Sequence, residues 1–139
     1  LAVEHGADAI YVSNHGGRQL DHGRATIDML PEIVAAVGGR AEIVLDGGVT
    51  RGSDVLKAIA LGAKAVAIGK LQGWGLAAAG QAGLVRVLEL LESEITTTMG
   101  LLGVTRLDQL NAAHLCKDQP MAPTHEMSTF PHMPGGQLL

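Results

Sequence analysis

Three short apolar runs, each followed by a polar turn that contains glycine, constrain the fold of this chain more than any other feature. They read GADAIYVSNHGG at residues 6–17, AEIVLDGG at residues 41–48 and GAKAVAIGKLQG at residues 62–73. The first and third share one plan and form an imperfect internal repeat. Because continuous apolar runs of this length are typical of strands covered on both faces, they predict a parallel sheet.

The intervals between and after these runs predict three helices. Apolar residues recur at helical spacing from Thr26 to the glycines at 38–39, from Ser53 to Gly62, and from about Gly83 to Met99. The predicted order is therefore a strand and a helix, repeated three times, with right-handed crossovers. The side chains predicted to face inward are Met29, Leu30, Ile33, Val34, Val37, Val55, Leu56, Ile59, Ala60, Leu84, Leu88, Leu91, Ile95 and Met99.

Open doubly wound sheets and (β/α)8 barrels share this local order. A complete barrel takes about 250 residues, whereas roughly the first 100 of this chain carry the strand and helix pattern. Three such units cannot close a barrel. The sequence therefore leaves two architectures: a small open sheet, or part of a barrel whose other strands lie on sequence outside this chain.

Composition narrows the class of partner. The formal net charge is −4 and no block is rich in Lys or Arg, which argues against nucleic acid and anionic membranes and favours small molecules. No apolar run approaches the roughly 18 residues that span a bilayer. The amino terminus shows no leader pattern, so we expect a cytoplasmic protein.

The carboxyl-terminal part departs from the strand and helix pattern. Residues 111–139 hold most of the prolines and are predicted to form a Pro-rich tail. The tail histidines His114, His125 and His132 match no metal-ligand spacing, so no metal site is predicted. Cys116 is the single cysteine and is predicted to be a packing residue.

All three apolar runs end in residues that can carry chemistry. The endings read SNHGGRQLD, LDGGVTRGSD and IGKLQGWG. In parallel α/β folds, ligands bind beyond the carboxyl ends of the strands. One such ending would be an ordinary turn, but three at corresponding positions indicate a binding site.

The turns after the second and third runs have the composition of a phosphate site. Residues 46–48 and the pair Gly69 and Lys70 each precede a predicted helix start, where backbone N–H groups and the helix dipole favour an anion. Arg51 and Lys70 can add charge-assisted hydrogen bonds. The alternative is that the glycines only make turns and that both cations are solvated.

The ending of the first run indicates a base next to a carboxylate clamp. His15 can accept a proton near neutral pH, and Arg18 offers a planar fork that matches a carboxylate. This pair suits a substrate that loses a proton from an α-carbon or α-hydroxyl. Asp21 either pairs with an arginine or is solvated. The alternative is that Asn14 and His15 cap the strand and that Arg18 lies in water.

Taken together, SNHGGRQLD, LDGGVTRGSDVLKAIALGA and AVAIGK closely resemble the carboxyl-terminal part of the FMN-dependent 2-hydroxy acid dehydrogenases and oxidases. That family includes glycolate oxidase, lactate oxidase, lactate monooxygenase and mandelate dehydrogenase. The resemblance covers residues 1–110 and implies the carboxyl-terminal portion of a (β/α)8 TIM barrel, strands six to eight with their helices. It also implies FMN as cofactor, a small 2-hydroxy carboxylate as substrate, and a homo-oligomer, typically a tetramer.

The same resemblance assigns roles to individual residues. His15 matches the base that takes a proton from the bound substrate as a hydride equivalent passes to the flavin, and Arg18 matches the residue that binds the substrate carboxylate. Ser13 matches a flavin contact. The residues that match the segments around the ribityl chain and phosphate are Asp46, Gly47, Gly48, Val49, Thr50, Gly69 and Lys70.

The sequence departs from the family pattern in three places. Thr50 stands where the family usually has the first of two arginines, so the phosphate is held more weakly or Arg51 reaches over. Lys70 stands where many members have arginine. The family's flavin-binding lysine, substrate-binding tyrosines and histidine-orienting aspartate would lie upstream of Leu1.

From these departures we expect that this chain alone does not turn over. The amino-terminal part of the barrel would come from further sequence, and the chain would be a fragment, a nicked subunit or one chain of a split enzyme. Two rival interpretations stay open: another flavin- or phosphate-binding barrel enzyme such as an isomerase, and a non-catalytic half-barrel that binds a ligand or partner.

Overall fold

The computed structural model describes residues 1–20 and 22–117. Its parallel sheet has the strands in chain order, β1 (Ala9–Val12), β2 (Glu42–Asp46) and β3 (Ala65–Ala67). The helices are α1 (Thr26–Val37), α2 (Gly52–Ala60) and α3 (Lys70–Leu102). Short 3-10 helices span Val3–His5, His15–Gly17, Leu107–Gln109 and Ala112–His114. The predicted alternation of strands and helices and the predicted parallel sheet are confirmed.

The main core lies between the sheet and α1. Leu30 of α1 and Leu45 of β2 are 0% and 1% exposed, and Val12 of β1 packs in the same cluster. Burying a leucine side chain of this kind stabilises a fold by about 1.5–3 kcal/mol. The predicted bounds of α1 are confirmed, and so is its inward stripe except for Met29, which is half-buried and does not pack against this core. Gly38, with φ of 59°, ends the helix in the left-handed region as expected.

Helix α2 packs on two sides, which the sequence pattern did not show. Ala58 lies in the main core, whereas Leu56 and Ala60 lie in a second cluster with Val104 and Leu110. The helix begins at Gly52, one residue before the predicted start. Val55 and Ile59, which were predicted to face inward, are half-buried, and Ile59 packs against the second cluster.

Helix α3 begins earlier than predicted. The segment IGKLQGWG reads as a glycine-rich turn, but the helix starts at Lys70 and has a sharp break at Ala79 and Gly80, where φ is −153° and 58°. Gly75 is buried where the two arms of the helix cross, and a Cβ there would lie 2.8 Å from Val87. The glycines therefore permit a close helix crossing. In the local sequence pattern, such glycines look the same as the glycines of a turn.

The predicted apolar stripe of α3 is confirmed only toward its carboxyl end. Leu91 is buried and Ile95 and Met99 pack against the second cluster, whereas Leu88 is 51% exposed. Leu84, at the start of the stripe, is half-buried. No helix in residues 1–20 and 22–117 has the length and apolarity needed to cross a bilayer.

The carboxyl-terminal part is described only as far as residue 117. Leu115 packs against the second cluster, whereas Cys116 is exposed, so the prediction of a packing role for Cys116 is wrong. The neighbouring leucine takes the packing position instead. His114 contacts the backbone of Asn111 through Nδ1. His125 and His132 lie outside the described residues.

A bidentate carboxylate fastens α3 to the start of α2. Glu94 of α3 accepts a hydrogen bond from Arg51 Nε at 2.8 Å and another from the Gly52 backbone N–H at 2.6 Å. The Gly52 N–H and then the Arg51 guanidinium hold the pKa of Glu94 below its ordinary value. The hydrogen bond and charge of Glu94 in turn raise the pKa of Arg51.

Asp54 closes the first turn of α2 from within. Its Oδ2 accepts hydrogen bonds from the backbone N–H groups of Thr50 and Arg51, at 3.1 and 3.0 Å. Burial alone would raise the pKa of Asp54, but these two hydrogen bonds and the nearby Lys57 outweigh it and lower the pKa.

Replacing Gly52 with alanine should destabilise the fold by about 1–3 kcal/mol, the usual cost of overpacking a close contact. A Cβ at this position would lie 2.6 Å from both Glu94 Cβ and the Ile95 backbone nitrogen. The measurement is urea unfolding followed by circular dichroism. Gly100→Ala is the matched control, because a Cβ there meets nothing within 4 Å. It should be neutral or stabilise α3 by up to about 1 kcal/mol. Equal effects of the two substitutions would contradict the close helix contact.

Acid should destabilise the junction between α2 and α3. Glu94 and Asp54 have folded-state pKa values below their ordinary values of 4.5 and 3.8. The two carboxylates therefore contribute fully to folding stability at pH values above their ordinary pKa values. This stabilisation is lost as the pH falls toward their folded-state pKa values, because the unfolded chain takes up protons first. Urea midpoints measured from about pH 6 down to about pH 3 should fall, and should fall less steeply for Glu94→Gln. Parallel curves for the two proteins would contradict the role of Glu94.

Candidate functional site

The carboxyl ends of the three strands meet at one edge of the sheet. In the parallel register, Val12 lies opposite Leu45 and Asp46 lies opposite Ala67. A cavity of about 440 Å³ opens at this edge and is lined by residues that follow all three strands. The predicted site residues that line it are His15, Arg18, Asp46, Gly47, Gly48, Val49, Thr50, Gly69 and Lys70.

Ser13 was predicted as a flavin contact but does not line this cavity. Its hydroxyl donates a hydrogen bond to Asp46 Oδ2 at 2.6 Å and accepts one from the His15 backbone N–H at 3.1 Å. Ser13 therefore joins the end of β1 to the end of β2. It also fixes the start of the turn that carries the imidazole.

The turn after β1 holds His15 in an unusual backbone conformation. His15 has a φ of 52°, in the left-handed region that few residues other than glycine adopt. The Asn14 side chain accepts a hydrogen bond from the Gly16 N–H at 3.0 Å and stabilises this turn. Such strain is often found where a side chain must be aimed at a ligand.

The imidazole of His15 has a defined partner. Its Nδ1 is in hydrogen-bond contact with Gln19 Oε1. An amide oxygen can only accept, so Nδ1 carries the proton and Nε2 of the neutral ring is left as the acceptor. This is the tautomer that a proton-accepting base requires.

Lys70 joins the third strand end to the first. Its ammonium donates a hydrogen bond to the Gly16 carbonyl oxygen at 3.0 Å. The fit is close, since a Cβ on Gly16 would lie 3.2 Å from Lys70 Cε. The turn that carries His15 is therefore held by Asp46 at the end of β2 and by Lys70 at the start of α3.

The glycine turn after β2 leaves its backbone open to the cavity. Gly47 and Gly48 have φ values of 98° and 78°. A Cβ on Gly47 would lie 3.2 Å from the Asn14 side-chain oxygen, whereas a Cβ on Gly48 or Gly69 would meet no protein atom within 4 Å. Bare backbone next to open space lets a ligand approach the N–H groups closely, as phosphate sites require.

Arg51 does not line this cavity. Its guanidinium lies between α2 and α3, on Glu94, and is part of a separate surface groove with Ser93 and Thr97. Thr50 does line the cavity, and its hydroxyl is 3.4 Å from Asp54 Oδ2. Of the two predicted phosphate cations, only Lys70 lies at the site. Asp21 lies outside the described residues.

Sequence reasoning missed Trp74, which lines the cavity and is 59% exposed. Because α3 begins at Lys70, Trp74 lies one helical turn beyond it and on the same face. The spacing of four was visible in the sequence, but the helix that gives it meaning was read as a turn. Gly16 was also missed, although it lies directly after His15.

The arrangement has the chemistry of a site for a phosphate-bearing cofactor and an anionic substrate. Its volume lies in the range of about 300–1,000 Å³ that small-molecule sites occupy. Its lining combines His15 and Arg18 with the two glycines of the turn after β2, Thr50 and Lys70. This donor set fits a flavin mononucleotide, whose phosphate needs backbone donors and a cation.

Comparison with known proteins gives one consistent family. The family model for FMN-dependent dehydrogenases matches residues 1–117. An L-lactate oxidase of Nostoc sp. is 55% identical over 114 residues, which is 82% of this chain and 31% of that protein. A peroxisomal (S)-2-hydroxyacid oxidase of Arabidopsis thaliana is 52% identical over 114 residues, again 82% of this chain and 31% of that protein.

A solved structure agrees with the sequence matches. A crystal structure of mandelate oxidase with benzoyl-formic acid aligns with a TM-score of 0.75 and 55% identity, over 78% of this chain and 32% of that one. The chain thus spans about a third of the length of the relatives it matches. With a family match over residues 1–117 and more than half of the aligned residues identical, the chain belongs to the FMN-dependent dehydrogenase family.

Proposed function

We propose that this chain supplies the base, the carboxylate clamp and the phosphate cradle of an enzyme that oxidises a small 2-hydroxy acid to a 2-oxo acid with FMN. The observation that carries the proposal is that one cavity is lined by His15, Arg18, the glycine turns and Lys70. Relatives named lactate oxidase, 2-hydroxyacid oxidase and mandelate oxidase support the substrate class.

Each side chain has a role in this reaction. FMN, when bound, supplies the acceptor for the two electrons of the substrate. Arg18 binds the substrate carboxylate with its fork of N–H donors. His15 Nε2 takes the proton that the substrate loses, and the contact of Nδ1 with Gln19 keeps the ring in the tautomer that can do so.

The residues around the cofactor act mainly through position. Ser13 contributes by holding Asp46 and the His15 turn in place. The backbone of residues 46–49 would lie along the ribityl chain, and Thr50, Gly69 and Lys70 would lie next to the phosphate. The open space next to Gly48 and Gly69 supports this placement.

The wider architecture is part of the proposal. We infer that β1, β2 and β3 are strands six to eight of a (β/α)8 barrel, with residues 1–110 as the barrel part and 111–139 as a tail. The chain order of the parallel strands and the share of each relative that is covered support this inference. The other strands would come from preceding sequence, on the same polypeptide or a separate chain. The 139-residue chain by itself should therefore not turn over.

Assembly and location are also proposals. We infer a homo-oligomer, as the family resemblance implies, which size-exclusion chromatography with light scattering would test. The cytoplasm is the proposed location, and the peroxisomal name of the Arabidopsis relative gives the alternative. Cell fractionation distinguishes the two compartments.

Replacing His15 with alanine in the complete enzyme should leave flavin bound but slow its reduction by at least about 100-fold, since a positioned base contributes about 10²–10⁴ in rate. The measurement is anaerobic stopped-flow of flavin absorbance after mixing with a panel of 2-hydroxy acids. His5→Ala is the matched control, because His5 lies before β1, at the opposite end of the strand. Unchanged flavin reduction in the His15 variant would contradict the assignment of the base.

Replacing Arg18 with lysine should raise the KM for the hydroxy acid by about 10–100-fold, because the charge stays but the two-pronged hydrogen bonding is lost. Steady-state kinetics measures this change. Arg24→Lys is the control, since Arg24 pairs with Glu32 on the surface of α1. A KM that changes equally in both variants would exclude Arg18 as the carboxylate clamp.

A further inference from the structure

The cavity presents few positive charges for the phosphate it is proposed to hold. Among the described residues that line it, the lysine and arginine side chains are those of Arg18 and Lys70. Arg18 follows β1 and is assigned to the substrate. The turn after β2, which is proposed to lie by the phosphate, contributes the neutral side chain of Thr50 to the cavity.

Arg51 is held away from this position by its own partners. One oxygen of Glu94 accepts from Arg51 Nε and the other accepts from the Gly52 N–H. A Cβ on Gly52 would lie 2.6 Å from the Ile95 backbone nitrogen, so the start of α2 is in close contact with α3. Turning Arg51 into the cavity would break its ion pair with Glu94, which then loses one of its two donors.

Lys70 is already engaged by a protein acceptor. One of its three N–H groups points to the Gly16 carbonyl oxygen at 3.0 Å, which leaves two for a ligand. A lysine also offers a point charge rather than a planar fork. A phosphate monoester carries a charge of about −1.5 to −2 near pH 7, so the single positive charge of Lys70 would not balance it.

We propose that, because Thr50 is neutral, this protein binds the phosphate of its flavin weakly. FMN therefore exchanges with free cofactor, and the protein distinguishes FMN poorly from riboflavin. This inference rests on the proposed function. The affinity would come mainly from contacts with the ring system and the ribityl chain, which FMN and riboflavin share. Thr50 is in this sense the residue that sets cofactor specificity.

The test is a fluorescence titration of the complete apoprotein with FMN and, separately, with riboflavin. For the natural protein, the dissociation constants of the two flavins should differ by less than about 30-fold. Thr50→Arg should lower the FMN dissociation constant by about 10–150-fold, as for a new charge-assisted contact, and change that of riboflavin by less than about 3-fold. Thr96→Arg adds the same charge on the exposed face of α3 and should change neither constant.

The possible outcomes separate this inference from the function on which it rests. If the natural protein prefers FMN over riboflavin by about 30-fold or more, the proposal of weak phosphate binding is wrong, whereas the proposed flavoprotein function still stands. The same holds if Thr50→Arg binds both flavins as the natural protein does. If the natural protein binds neither flavin, the proposed function itself fails. Because the ratio for the natural protein needs no variant, poor folding of Thr50→Arg does not remove the test.

Discussion

The parallel pairing of β1, β2 and β3 in chain order is the constraint on which the site depends. It places three turns that are far apart in sequence at one edge of the sheet, each directly after its strand. Two side-chain hydrogen bonds then tie the turns together, from Ser13 to Asp46 and from Lys70 to the Gly16 carbonyl. Without the shared register neither hydrogen bond could form.

These ties explain why the turn after β1 can hold a strained residue. His15 occupies the left-handed region at a cost that a free loop would avoid by relaxing. The Ser13 hydroxyl, the Asn14 amide and the Lys70 ammonium bond the backbone of this turn on three sides. The turn is thereby held in place before any ligand arrives, which limits the entropy lost on binding.

The sequence predicted much of this arrangement because the relevant signals are local. Apolar runs and glycine stops identified the three strands and α1, and the endings of the runs identified nine of the residues that line the cavity. The signals failed where a long-range contact decides the outcome. Arg51 pairs with Glu94, 43 residues away, and no local pattern reveals that partner.

The missed start of α3 has a similar origin. Gly73 and Gly75 make the segment after β3 look like a turn, although Gly75 serves a close crossing of two helix arms. Helix propensity disfavours glycine by about 1 kcal/mol per residue, but packing between the arms overrides it here. Cys116 likewise shows that a residue type with a strong tendency to be buried can lie on the surface when its neighbour Leu115 fills the packing position.

The most direct measurement is a crystal structure of the complete enzyme with FMN and a 2-oxo acid bound. The flavin phosphate should lie beside the turn from Gly48 to Thr50 and the Lys70 ammonium, and the acid's carboxylate should lie on Arg18. His15 Nε2 should then lie about 2.6–3.2 Å from the oxygen on the second carbon of the ligand. A flavin bound away from the ends of β2 and β3, or an imidazole turned away from the acid, would contradict the proposed site.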